Sequence, residues 1–215
     1  MRDDLGRPFS KNKKRRLMKL KRDFFNRDAR IVGEDLIGKI IVRKYDNTVI
    51  KSRIVETEAY IAAIDKASHA YGGKITPRTK VMFGPPGHIY VYFIYGMYYC
   101  MNFVTEEEGT CSATLIRAVE PILNEEEMCL NRYNKPLSDI TKYQKKNLSN
   151  GPGKLCNALR ITKEHNGADL TGDEIWVEDD GYKDFKVEKS KRINIDYAEE
   201  AKDFLWRYTI QNNKA

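Results

Sequence analysis

Glu56, Glu58 and Tyr60 follow one another at intervals of two in the run Ile54-Val55-Glu56-Thr57-Glu58-Ala59-Tyr60. If that run is a strand, its period of two puts both carboxylates and the ring on one face, with Val55, Thr57 and Ala59 on the other. Carboxylates that share a face, or that stand among apolar rings, hold their protons more tightly than usual, which suits a general base working near neutral pH. Exposed strand acids facing a cross-strand Lys or Arg produce the same spacing, and the run alone leaves both readings open. A second group is aromatic. Tyr90 and Tyr92 share one strand face, and Tyr95 stands where a hairpin would turn at Gly96. Flat rings give nucleobases a stacking surface worth about 1 to 3 kcal/mol each, and a bulky residue at a hairpin tip can wedge into a duplex. Tyrosines that only fill core and surface would look the same. His69 and His88 are open between a structural hydrogen-bonding role and acid–base work.

The elements that must position these groups can be read from pattern. Apolar residues at Leu17, Met18, Leu20, Phe24 and Phe25 predict that a basic stretch runs into a helix. A second short helix is predicted over Ala29 to Leu36, ended by Gly38. Lys39 to Lys44 and Val49 to Tyr60 read as a hairpin turning at Asp46 and Asn47. Residues 61 to 88 are rich in Gly and Pro, and so long a loop inside a compact domain is usually functional. Ile89 to Val104 reads as two strands about Tyr95-Gly96-Met97, with a further strand at Ala113 to Val119. Helical patterns follow near 123 to 133 and 137 to 147, and a helical run to about Arg160 follows Gly151-Pro152-Gly153-Lys154. Strands are predicted near 174 to 178 and 185 to 195, and then a short C-terminal helix holding Leu205 and Trp206. No repeat or linker divides the chain, so the expected class is α+β: one domain on a mainly antiparallel sheet.

The length of 215 residues fits one domain with a proper core. No apolar run approaches the roughly eighteen residues of a membrane span, and the polar, basic N-terminus shows no secretory signal. A cytoplasmic protein is expected, nucleoid-associated if the source is a bacterium. Cys100, Cys111, Cys129 and Cys156 lack metal-ligand spacing and are expected to be buried thiols. The His/Cys/Cys signature of zinc deaminases, which also act on flipped bases, is missing. Of the net charge of +7, the basic excess is local: residues 1 to 30 hold twelve Lys or Arg against four Asp. Lys11, Lys13, Lys14, Arg15, Arg16, Lys19, Lys21 and Arg22 would suit an anionic polymer, or form a solvated face. Residues 1–16 are read as a basic arm and 17–215 as the domain proper.

Taken together, the residues resemble one family. V-E-T-E-A-Y at 55–60, D-x-A-S-H-A at 65–70, T-P-R-T at 76–79, M-F-G-P-P-G at 82–87, Y-V-Y-F-I-Y-G-M at 90–97, C-x-N at 100–102, L-I-R-A-x-E-P at 115–121 and G-P-G-K-L-C at 151–156 are similar to the 3-methyladenine DNA glycosylases of the alkyladenine type. The ordered match runs from about residue 14 to 210, and long blocks in order are more specific than any short motif. The resemblance implies a curved, mainly antiparallel sheet with flanking helices, as in the barrel of formyltransferase C-terminal domains. It implies a monofunctional enzyme of base excision repair that acts on double-stranded DNA as a monomer, with no cofactor, no metal and no membrane. Alkylated or deaminated purines are the implied substrates: 3-methyladenine, 7-methylguanine, hypoxanthine and ethenoadenine.

By the same resemblance Glu58 is the base that activates water, and Arg117 helps hold that water. Tyr60, His69 and Tyr92 wall the pocket for the extruded base, while Asn102 gates its floor against the amine of guanine. Tyr95 fills the gap left in the duplex, with Met97 beside it. Arg78 and Lys154 are expected to contact DNA, Lys154 from a glycine-rich helix start that could seat a phosphate. Since water attacks rather than a lysine amine, no strand-cleaving lyase step is implied. The chain departs from the family where Ala62 and Asn194 stand for Gly, and where Arg160 stands for a small residue. Two other functions fit the residues: a non-catalytic nucleic-acid binder using the arm and the tyrosines, and a hydrolase of nucleosides or sugars using Glu56 with Glu58.

Overall fold

The computed structural model describes residues 17–211, so the basic arm expected over 1–16 lies outside the described residues. The chain opens with strand β1 (Met18–Lys19) and two short helices, α1 (Arg22–Phe25) and α2 (Ala29–Asp35). The hairpin β2 (Ile40–Tyr45) and β3 (Thr48–Ile61) turns at Asp46, whose φ is +49°. A long loop follows, with single 3₁₀ turns at Tyr71–Gly73 and Lys80–Phe83, and then a second hairpin, β4 (Ile89–Ile94) and β5 (Tyr98–Thr105). After it come β6 (Ser112–Leu123), α3 (Glu125–Tyr133), α4 (Lys142–Lys146), α5 (Pro152–Ala158), β7 (Ile175–Asp179), β8 (Val187–Ser190) and β9 (Arg207–Ile210).

These elements make a single α+β domain on an open sheet in the order β1-β7-β2-β3-β6-β5-β4, antiparallel at every pairing. β3 is the organising strand. β6 covers one edge, while the other edge is shared end to end by β2, opposite Thr48 to Arg53, and β9, opposite Glu56 to Glu58. Bulges flank Glu56 in the β3–β6 ladder. Such irregularities sharpen local twist and re-aim side chains, and they are common beside active sites. One face of this half of β3 packs on α2: Thr57 Oγ1 donates to the Gly33 carbonyl at 2.7 Å, and Ala59 is buried. A Cβ on Gly33 would lie 3.1 Å from the Tyr208 ring, so the glycine lets helix and sheet approach. Glu56, Glu58 and Tyr60 take the other face, as the period of two requires.

Three expectations are corrected. The basic N-terminal stretch gives only the four-residue α1, because Met18 and Lys19 are captured as a strand by Asp179 and Glu178 of β7. The strand expected over 185 to 195 stops at Ser190, since Arg192 turns inward and Asn194 is left-handed at φ +59°. Leu205 and Trp206 are not helical; a 3₁₀ turn at Glu199–Asp203 precedes them and β9 follows. All four cysteines are free and buried. Among the described residues no helix is long and apolar enough to cross a membrane.

Candidate active site

Strand β3 holds Glu58 just behind the wall of a cavity of about 350 Å³, within the range of about 300–1,000 Å³ common for small-molecule sites. The Glu58 side chain is wholly buried, which is tolerable for a carboxylate only with donors around it. It has three. Oε1 accepts from the Ile193 backbone N–H at 2.8 Å, and Oε2 accepts from the Tyr60 hydroxyl at 2.8 Å and from Arg117 Nη1 at 3.3 Å. Tyr60, Arg117 and Ile193 all line the cavity, whereas Glu58 stands one hydrogen bond behind its wall. A carboxylate offers about four lone-pair directions, so three donors leave one free.

Arg117, from β6, is shared between the two acids. Its Nε donates to Glu56 Oε1 at 2.9 Å, and only Nη1 reaches Glu58. Burial opposes its charge, but the Glu58 and Glu56 carboxylates outweigh that and raise its pKa further. The same Glu56 oxygen accepts from Arg207 Nε at 2.6 Å. Glu56 is therefore an anchor gripped by two guanidiniums, which removes the support for a Glu56–Glu58 acid pair. Burial pushes the Tyr60 phenol well above its ordinary pKa, and the adjacent Glu58 carboxylate adds to this, so the hydroxyl stays protonated as a donor.

Rings form the cavity's sides. His69, carried by the long loop, stands edge-on to Tyr92 with centroids 4.5 Å apart and planes at 84°, and Tyr90 lies 5.5 Å from Tyr92. Arg78 Nη2 donates to His69 Nε2 at 3.3 Å, so His69 Nδ1 is left to donate to the Tyr90 hydroxyl at 3.1 Å. Burial, helped by the Arg78 cation, lowers the His69 pKa to about 4, so its ring is neutral at physiological pH. Asn102 is buried on the cavity wall with Nδ2 tied to the Tyr90 carbonyl at 3.2 Å, which fixes the amide. His88 is structural, its Nδ1 donating to the Pro85 carbonyl.

The β4–β5 hairpin ends in the loop Tyr95-Gly96-Met97, with Tyr95 at φ +55° and Gly96 at +68°. Tyr95 is 71% exposed and still lines the cavity; Met97 is exposed at the tip but does not line it. Arg78 also lies outside the lining, with its guanidinium 5.1 Å from the Tyr92 ring centre. Lys154 lines the cavity and its Nζ donates to Asn147 and Asn150 at 2.6 and 2.8 Å. Burial and the neighbouring Arg132 lower its pKa.

The helix start that carries Lys154 is pressed against the hairpin: a Cβ on Gly153 would sit 2.8 Å from Cβ and Cγ of Tyr98. Gly153→Ala should therefore destabilise the fold by about 1–3 kcal/mol through overpacking, read as a lowered Tm. An unchanged Tm would show slack between α5 and the hairpin.

Of the ten residues expected at the site, seven line the cavity: Tyr60, His69, Tyr92, Tyr95, Asn102, Arg117 and Lys154. Sequence reading missed Arg132, Tyr197 and the stretch Ile193-Asn194-Ile195, which line it too. Asn194 carried a signal, since a non-glycine residue at a usual glycine position that adopts the left-handed region marks a turn. Ala62, the other residue standing for a usual Gly, keeps a negative φ and needs no glycine, whereas Arg160, which stands for a small residue, is left-handed at φ +52°.

A family model described as methylpurine-DNA glycosylase matches residues 23–214. Among curated relatives, a protein of Alkaliphilus oremlandii is 58% identical over 91% of this chain and 97% of its own length. One of Clostridium perfringens is 54% identical over 92% of this chain and 98% of its own, and one of Clostridium acetobutylicum is 51% identical over 92% and 96%. All three are provisionally named 3-methyladenine DNA glycosylase.

Proposed function

Because the chain belongs to the methylpurine-DNA glycosylase family, we propose that it flips a damaged purine from duplex DNA into the ring-walled cavity and hydrolyses its N-glycosidic bond with a water activated by Glu58. The observation that carries this reading is the seating of Glu58, buried one hydrogen bond behind Tyr60, Arg117 and Ile193. A water beside Arg117 can donate to the free lone pair of Glu58 and present its oxygen to C1′. As the C1′–N bond breaks, its electron pair leaves with the purine and the sugar becomes oxocarbenium-like. Glu58 takes the water proton while its charge stabilises the sugar.

Tyr60, His69 and Tyr92 are the rings for the extruded base, and a cationic alkylated purine gains a cation–π contribution from them. Asn102, held by the Tyr90 carbonyl, is the group that crowds the exocyclic amine of guanine. Tyr95 occupies the gap in the duplex with Met97 beside it, while Arg78 and Lys154, with the arm at 1–16, take phosphates. The protein acts as a monomer and, because water rather than a lysine amine attacks C1′, without lyase activity.

Base release measured on duplexes carrying 3-methyladenine, 7-methylguanine, hypoxanthine or ethenoadenine, beside the matching free nucleosides, tests the reading. Free base should appear from duplexes only, and borohydride should trap no protein–DNA adduct. Comparable release from nucleosides would instead mark a nucleoside hydrolase, and a trapped adduct would mark a lyase.

A further inference from the structure

A second buried ion pair lies beside the site. Arg192 and Asp65 both have fully buried side chains and form a bidentate pair, Nη1 to Oδ2 at 2.5 Å and Nη2 to Oδ1 at 2.8 Å. The guanidinium also donates to the carbonyls of Ala59 and Ala201 at 2.9 and 3.1 Å. Its central carbon lies over the Tyr60 ring, 4.6 Å from the ring centre, and over that of Trp206 at 5.2 Å. A dry pair of this kind is weak ground for stability alone, because desolvation offsets its attraction. What it does supply is geometry, since a planar fork fixes direction as well as distance.

Three segments meet at this fork, and each delivers a group to the cavity. Asp65 heads the turn that carries Ser68 and His69: its Oδ1 accepts from the Ala67 N–H at 2.9 Å, and its carbonyl accepts from the Ser68 N–H at 2.9 Å. Arg192 immediately precedes Ile193, whose N–H holds Glu58 Oε1. The Ala59 carbonyl and the Tyr60 ring belong to β3. The pair therefore joins the strand of the base, the loop of one ring and the donor that orients the carboxylate, across 127 residues of sequence.

We propose that Asp65 and Arg192 are positioning residues for base excision, setting the slot between Tyr60 and His69 and the aim of Glu58. The proposal rests on the reading of Glu58 given above. A displacement of about 1 Å at reacting groups can cost as much as 10²-fold in rate. Asp65→Asn should therefore lower the maximal single-turnover excision rate by about tenfold or more, with affinity for undamaged duplex kept within about twofold, because the DNA-facing surface is untouched. Arg192→Lys, which keeps the charge but loses the fork, should also slow excision, by less than Asp65→Asn. Excision by Asp65→Asn at the wild-type rate overturns the proposal. Loss of undamaged-DNA binding together with excision also overturns it, by making the pair a general prop of the fold. Glu58→Gln measured alongside separates the two levels: if it excises normally the base assignment fails, whereas an inactive Glu58→Gln beside a fully active Asp65→Asn removes only the positioning role.

Discussion

Glu58→Gln lowers the single-turnover rate of base release by about 10²–10⁴-fold, the usual contribution of a positioned general base, while affinity for lesion-bearing duplex stays near wild type. The substitution is close in shape but not in hydrogen bonding. Every group facing Glu58 donates: the Ile193 N–H to one oxygen, the Tyr60 hydroxyl and Arg117 to the other. A glutamine has one acceptor and must turn its NH₂ toward one of these donors, so the variant also loses stability, by about 1–3 kcal/mol for an unsatisfied buried group. The rate is for that reason compared at a temperature where thermal melting shows both proteins folded. Near-normal excision by folded Glu58→Gln would falsify the assignment, and Glu56 offers no replacement, since Arg117 and Arg207 hold it.

Tyr95→Ser should reduce base flipping, lowering excision by about 10- to 100-fold, in line with about 1–3 kcal/mol for a stacking ring. The fold itself should not suffer. Tyr95 is 71% exposed, so its ring contributes little burial, and its φ of +55° is costly for any residue with a side chain. Tyr95→Gly should even raise Tm slightly while losing the same function. Support for the hairpin comes from elsewhere: Phe93 and Tyr99 pack 5.0 Å apart, and Gly153 abuts Tyr98. The measurement is the fluorescence of a reporter base beside the lesion. A signal equal to wild type would remove the wedge role whatever happens to the rate.

The fates of particular residues show what sequence could and could not disclose. The shared face of Glu56, Glu58 and Tyr60 was legible because alternation is a local property of a strand, and Arg117 touching both acids bears it out. The turns at Asp46 and Tyr95-Gly96 were legible from local chemistry of the same kind. Strand β9 was not, because four residues after an apolar Leu-Trp step become a strand only through the free edge of β3 opposite Glu56 to Glu58. Met18 and Lys19 became a strand for the same reason, with β7 as the template. Nothing in the segments of Asp65 and Arg192 links the two; the pairing that buries them is created by the tertiary fold. Residue types and short-range periodicity thus marked candidate groups, while the scaffolding that places them depended on contacts remote in sequence.

The lateral pairing of β9 on β3 has a consequence for the order of assembly. Arg207, which grips Glu56, follows it by 151 residues, and its strand forms the ladder beside Glu58. Contacts so distant along the chain form late, and domains fold as units during synthesis. The β3–β6 ladder and the ring walls carried by β3 and β4 can therefore assemble first, and the strand that clamps Glu56 and flanks Glu58 is added to a sheet already formed.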